Sequence, residues 1–127
     1  MTQPINYTDF PGFGDIYLEE DSYVLTIEES VGRITFLVDA VLTPEHPRYH
    51  TPGPNEQNCY AKLWITFQDT TRIDWIKRDN RRYTDSTGES DYGIIYQLVQ
   101  LGDHFEFSGD FGDVLIFSES MPSISYE

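Results

Sequence analysis

Two histidines stand four residues apart in His46-Pro47-Arg48-Tyr49-His50, the spacing that on a helix would aim both imidazoles at one zinc ion. Pro47, with Pro44, Pro52 and Pro54 around it, removes N–H donors and fixes φ, and no glutamate lies between the histidines to act as a base. The segment therefore reads as a proline-rich loop whose Tyr49 and histidines pack onto a sheet. Cys59 or Glu45 would be the nearest further ligand for a metal there. Asp85, Glu89 and Asp91 around Gly88 could offer oxygens to calcium, but their spacing does not match an EF-hand loop, with its alternating ligands, sixth-position glycine and final bidentate glutamate. They read as a solvated loop, and no metal or cofactor is expected.

Lys77, Arg78, Arg81 and Arg82 form the basic cluster of the chain, between Trp75 and Tyr83, a mixture that can grip single-stranded nucleic acid. Asp74, Asp79 and Asp85 interrupt it, so these side chains are expected to pair with acids of the same molecule or with an acidic protein surface. Paired carboxylates would suit a hydrolase, but with 22 acidic residues almost any pocket has two nearby. No Gly-x-Ser-x-Gly elbow and no glycine-rich phosphate loop is found, and Cys59 has no histidine partner in sequence. The chain reads as non-enzymatic, and Cys59 as a small buried hydrophobe heading a strand. Phe105, Phe107, Phe111 and Phe117 could line a ligand pocket, but read first as the core of the last hairpin.

The 127 residues carry 22 Asp or Glu against 8 Lys or Arg, a formal charge of −14. Such a field repels phosphate backbones, which argues against nucleic acid as a partner. The longest apolar run, Val114 to Phe117, is far short of the roughly 20 residues a spanning helix needs, so no membrane contact is expected. With 39% apolar and 15% aromatic residues, the chain can build one core, and a single domain over 1–127 is expected. The lone cysteine can form no internal disulfide, and Met1 to Asn6 has no basic stretch leading into an apolar one, so a cytoplasmic location is expected. The charge is uneven. Residues 1–32 hold seven acids and 83–127 nine, neither with a base, while all eight bases lie between Arg33 and Arg82.

These residues are positioned by strands. Apolar residues recur at every second position, the period of a pleated strand with one buried face. Ile16 and Leu18, then Tyr23, Leu25 and Ile27, predict a first hairpin around Glu-Asp-Ser. The strongest alternations are Ile34, Phe36, Val38, Ala40 and Leu42, and Cys59, Ala61, Leu63, Ile65 and Phe67. Between them Thr43 to Asn58 must be irregular, either a functional loop or a crossover between sheets. Ile73 and Trp75 mark a short strand that ends in the polar run Lys77, Arg78, Asp79, Asn80, Arg81 and Arg82. A polar loop to Asp91 follows, then Ile94, Tyr96 and Leu98 on one face, a turn at Gly102-Asp103 into His104 to Phe107, and a turn at Gly109-Asp110 into a final strand at Val114 to Phe117. The expectation is all-β: an antiparallel meander of about eight short strands forming a sandwich, barrel or strongly curved sheet, with little helix.

Phe13-Gly14-Asp15, the loop Leu42-Thr43-Pro44-Glu45-His46-Pro47 through Cys59-Tyr60, the Asp91-Tyr92-Gly93 turn and the closing Gly109-Asp110-Phe111-Gly112 together resemble small acidic all-β bacterial proteins encoded near polymorphic toxins and grouped with immunity proteins. The resemblance spans most of the chain through strand rhythm, turns and acidity, and it assigns no functional residue. It implies a bacterial cytoplasmic protein, either an inhibitor or a domain of unassigned role.

The leading expectation is an acidic interaction protein that binds a basic protein partner, because complementary fields speed encounter and favour the right partner. Asp15, Glu19, Glu20 and Asp21, with Asp110 and Asp113, are the candidate contact residues. The alternative is a sandwich or barrel that binds a small ligand in a pocket lined by aromatics such as Trp64, Trp75 and Tyr96. A further possibility is a homo-oligomer formed by pairing of exposed strand edges.

Overall fold

The structure is a computed structural model that describes residues 3–84, 86 and 88–127. The two strongest alternations become its centre. Strand β4 (Arg33–Leu42) and strand β5 (Tyr60–Gln68) pair antiparallel, and Ile34, Phe36, Val38, Leu63, Ile65 and Phe67 are wholly buried on one face. Before them come β1 (Ile5–Asn6), a turn of 3-10 helix at Tyr7–Asp9, β2 (Ile16–Tyr17) and β3 (Tyr23–Ser30). After them come β6 (Thr70–Arg78), β7 (Tyr83–Thr84), β8 (Ser90–Asp91), β9 (Ile95–Leu101), β10 (His104–Gly109), β11 (Gly112–Ser118) and β12 (Ser123–Tyr126). Among the described residues, eight of these twelve strands have four or more residues; the other four are two-residue pairings.

Every strand pairing among the described residues is antiparallel. One sheet runs β1-β9-β10-β11-β6; the other runs β12-β5-β4, with β2 and β3 both on the far edge of β4. The two face each other across an aromatic core. Phe36 of β4 meets Phe107 of β10 with ring centroids 4.6 Å apart, Phe67 meets Phe105 at 5.3 Å, and Phe107 meets Phe111 at 5.2 Å. Edge-on rings let the negative face of one meet the positive rim of the next, and each buried phenyl removes a large apolar area from water. The chain changes sheet between β5 and β6 through Asp69 alone, whose φ of 54° turns the backbone while Ser120 Oγ donates to its Oδ2 at 2.6 Å. Aspartate is among the few residues that tolerate that left-handed conformation. Among the described residues, no helix is long and apolar enough to cross a membrane.

Four expectations need correction. Ile16–Leu18 and Tyr23–Ile27 do not form a hairpin: β2 and β3 lie end to end along β4, with Tyr17 opposite Val41 and Tyr23 opposite Asp39. The detour between them is held by Ser22, a fully buried hydroxyl that donates to Tyr17 O at 2.7 Å and accepts from Val41 N at 3.0 Å, replacing the missing ladder bonds. Two bulges shift the faces. Leu25 is the extra residue of β3, so Val24 is buried; Tyr96 is extra where Gln97 faces Ser108 and Ile95 faces Gly109, so Ile95 and Leu98 point inward and Tyr96 outward. The strand marked by Ile73 and Trp75 extends from Thr70 to Arg78, because Lys77 and Arg78 pair with Asp113 and Gly112 of β11. Val114 to Phe117 is not the final strand; β12 returns to the edge of β5.

Candidate functional site

The polar stretch after β6 contains a two-stranded ribbon, β7 with β8, that straddles the two sheets. Tyr92 N–H donates to Val24 O at 2.7 Å, and Val24 N–H donates to Gly93 O at 3.0 Å, fixing the ribbon to β3. Arg82 holds its stem: the guanidinium bonds Ser90 Oγ at 3.1 Å and lies 4.5 Å from the centre of the Tyr92 ring. Gly93 then turns toward β9 at a φ of 96°, and a Cβ there would lie 2.6 Å from Asp110 Oδ2. Only glycine lets Asp110 come this close. In that place Asp110 Oδ2 accepts from Ile94 N at 3.1 Å, while its Oδ1 accepts the phenolic proton of the bulged Tyr96. The carboxylate holds that proton on Tyr96, whose pKa is raised chiefly by this bond.

Around this scaffold lie three depressions linked by shared lining residues, together forming a groove-like surface. The first, about 380 Å³, lies on the outer face of the β9-β10-β11-β6 sheet, bordered by Lys77, Asp79, Tyr83, Tyr96, Asp110 and Asp113. The second, about 260 Å³, shares Tyr83 and Asp110 with the first and adds Tyr23 and Asp91. The third, also about 260 Å³, shares Tyr23 and Asp91 and continues over Asp39 and Tyr60. The Tyr23 and Tyr60 rings stand 6.3 Å apart. Among the described residues lining the groove, Lys77 is the one base, against Asp39, Asp79, Glu89, Asp91, Asp110 and Asp113.

Two carboxylates in it are poorly compensated. Asp39, half-buried in β4, has its pKa raised by burial, opposed by Lys62 opposite it on β5 and reinforced by Glu89 and Asp91. Asp113 lies between Ser108 and Lys77 across the strands, and its buried Oδ1 finds no hydrogen-bond partner among the described residues. Tyr23 also has a raised pKa, from burial first and then from Tyr60 and the nearby acids. Chemically the groove offers phenol faces and carboxylate oxygens together, the set that receives guanidinium and ammonium groups.

Of the candidate contact residues expected from sequence, Asp110 and Asp113 meet in this groove. The others line the N-terminal segment. Asp15 is exposed and its carbonyl accepts from Thr43 N at 3.0 Å. Glu19 is half-buried, its pKa raised by burial and by Glu20. Glu20 turns the chain at a φ of 74°, and its N–H donates to Ile95 O at 2.7 Å, which brings the two acidic ends of the chain side by side. Asp21 is exposed at a separate pocket beneath the proline-rich loop. Sequence reasoning misses Tyr23, Tyr60 and Asp39 as site residues, and singles out Asp91 only as a calcium oxygen and Tyr83 only as a neighbour of the basic cluster. Asp39 has a legible signal, as the one acid inside an otherwise apolar and hydroxylic stretch of strand; the tyrosines have none, because the bulges and the ribbon decide where they point.

The other candidates fall elsewhere. His46 is buried, with Nδ1 accepting from Arg48 N at 3.0 Å and Nε2 bonded to the Tyr126 hydroxyl, so both ring nitrogens are engaged, while His50 is exposed and meets Thr51 O. Among the described residues, no three His, Cys, Asp or Glu side chains are grouped to hold a metal ion. Asp85 of the acidic glycine loop lies outside the described residues. Arg78 bonds Glu29 at 3.0 Å and sits over the Trp75 ring at 4.4 Å, an ion pair with an acidic end of the same chain. Phe105, Phe107 and Phe111 are core, whereas Phe117 is only half-buried, against His104 and Arg72. Trp64 and Trp75 border none of the groove's depressions, and Tyr96 lines the groove without them. No protein-family model, no curated protein and no solved structure matches the chain.

Proposed function

We propose that the protein is a non-enzymatic binding module that takes a basic protein partner into this groove, in the manner of an immunity-type inhibitor acting in the bacterial cytoplasm. The observation that carries the reading is the groove's composition: among the described residues, six carboxylates and four tyrosines against one lysine, on a chain of charge −14. A partner's arginines and lysines gain Coulomb energy and ring contacts there, and the chain's field steers them in. Asp110, held at both oxygens, suits fixed recognition better than proton transfer.

The test is affinity capture from the source cell at low ionic strength, with the wild type and an Asp110→Asn/Asp113→Asn variant side by side. The wild type should retain a basic protein that salt releases, and the variant should lose it while keeping its circular dichroism. Recovery of nothing basic, or equal recovery by both, refutes the reading.

A further inference from the structure

We propose that a second, independent site lies beneath the proline-rich loop and binds a small organic cation, an ammonium group carried on a flat apolar body. The pocket of about 320 Å³ opens between the loop and the β2 edge of β4. Its size is at the lower end of the range for small-molecule sites. Its floor is apolar: Val41, Leu42 and Cys59 are all buried, and Leu42 N–H donates to Cys59 O at 2.8 Å, closing the base of the loop. Pro44 and Pro52 form part of the wall, and proline keeps such a wall from collapsing or spreading at little entropic expense. Tyr17 and Tyr49 also line it. Tyr49 is half-buried against the core and donates its N–H to His46 O at 3.0 Å.

Among the described residues, one charged group lines this pocket, Asp21, and no base does. Its position is set by its neighbour. Ser22, fully buried, bonds both Tyr17 O and Val41 N, which clamps the Tyr17–Asp21 segment onto β4, and both Tyr17 and Asp21 line the pocket. The Asn58 and Gln57 amides and the Thr43 hydroxyl add neutral polar groups. An apolar floor, two aromatic rings and one carboxylate are complementary to an arylalkylamine. The same set rejects a carboxylate of equal size, because that anion would lie against Asp21 without a cation to balance it.

Tyramine and phenylacetate are suitable probes, followed by amide chemical-shift mapping of the intact chain. Tyramine should give saturable shifts at Asp21, Val41, Asn58 and Cys59, and phenylacetate should not. Asp21→Asn should bind tyramine about tenfold more weakly, the usual size of a lost charge-assisted contact. Tyr17→Ser, at an exposed position, should also weaken it while the spectrum stays dispersed. Absence of saturable shifts with millimolar tyramine, equal binding of phenylacetate, or unchanged affinity in Asp21→Asn overturns the proposal. None of these outcomes depends on whether the groove binds a basic protein.

Discussion

Replacing Gly93 with alanine separates the two ways in which glycine builds this groove. At a φ of 96°, any L-residue adopts a left-handed conformation, which costs about 1–2 kcal/mol. A Cβ at this position also overlaps the Asp110 carboxylate, so Asp110 must move away from Ile94 N and from the Tyr96 hydroxyl. Losing the bond from Ile94 N–H to a charged acceptor adds about 1.5–3 kcal/mol. Together the two effects predict a loss of about 2.5–5 kcal/mol for Gly93→Ala. Gly32→Ala is the internal control. Gly32 has a φ of 75° in the β3–β4 turn, and a Cβ added there would meet nothing within 4 Å, so it should show the conformational part alone, about 1–2 kcal/mol. Urea unfolding measures both, and ultraviolet titration of the tyrosines reports whether Tyr96 loses the pKa elevation that Asp110 provides. Equal destabilisation of the two variants, with Tyr96 unchanged, would refute the assignment of Gly93 as the residue that admits Asp110.

Phe107→Ala should cost about 3–5 kcal/mol by chemical denaturation, because its ring is fully buried against Phe36 and Phe111, whereas Phe117→Ala on the outer face should cost far less. Ser22→Ala should cost about 1–3 kcal/mol, since it strands the buried Val41 N–H and takes the partner from the part-buried Tyr17 O. Asp39→Asn should make the protein more stable at neutral pH. The folded-state pKa of Asp39 lies above its unfolded value, so its contribution is favourable below the unfolded pKa and is lost as pH rises through the folded one. The difference between Asp39→Asn and wild type in denaturation midpoint should therefore shrink as pH falls through the carboxylate range; a gap that widens there would show that the Lys62 pairing outweighs burial.

The parts of the fold legible in the sequence are those governed by local period. β4 and β5 alternate without interruption, so each inward residue follows from its neighbours, and the glycine turn at Gly102-Asp103 announces the β9–β10 hairpin. The groove is only half legible. Asp110 and Asp113 stand out as acids beside a glycine turn, but the residues opposite them come from β3, β4, β5 and the β7–β8 ribbon, and their meeting depends on non-local pairing. The bulges at Leu25 and Tyr96 put the residues before and after them out of phase, so Val24 and Ile95 are buried in place of Tyr23 and Ile94, and nothing in the local alternation marks where an extra residue is absorbed. The hairpin expected around Glu20-Asp21-Ser22 fails for a related reason. A polar turn signal does not say whether the chain reverses or continues, and here one buried serine decides that it continues.

That the groove, and not acidity in general, receives a basic partner is tested most directly by amide chemical-shift mapping with an arginine-rich peptide at low and at moderate ionic strength. Saturable shifts should centre on Tyr23, Asp39, Asp91, Tyr96, Asp110 and Asp113, with affinity falling at least about fivefold as added salt screens the field. Shifts spread evenly over the acidic surface, or centred on Asp15 and Glu19 with the groove silent, would contradict it.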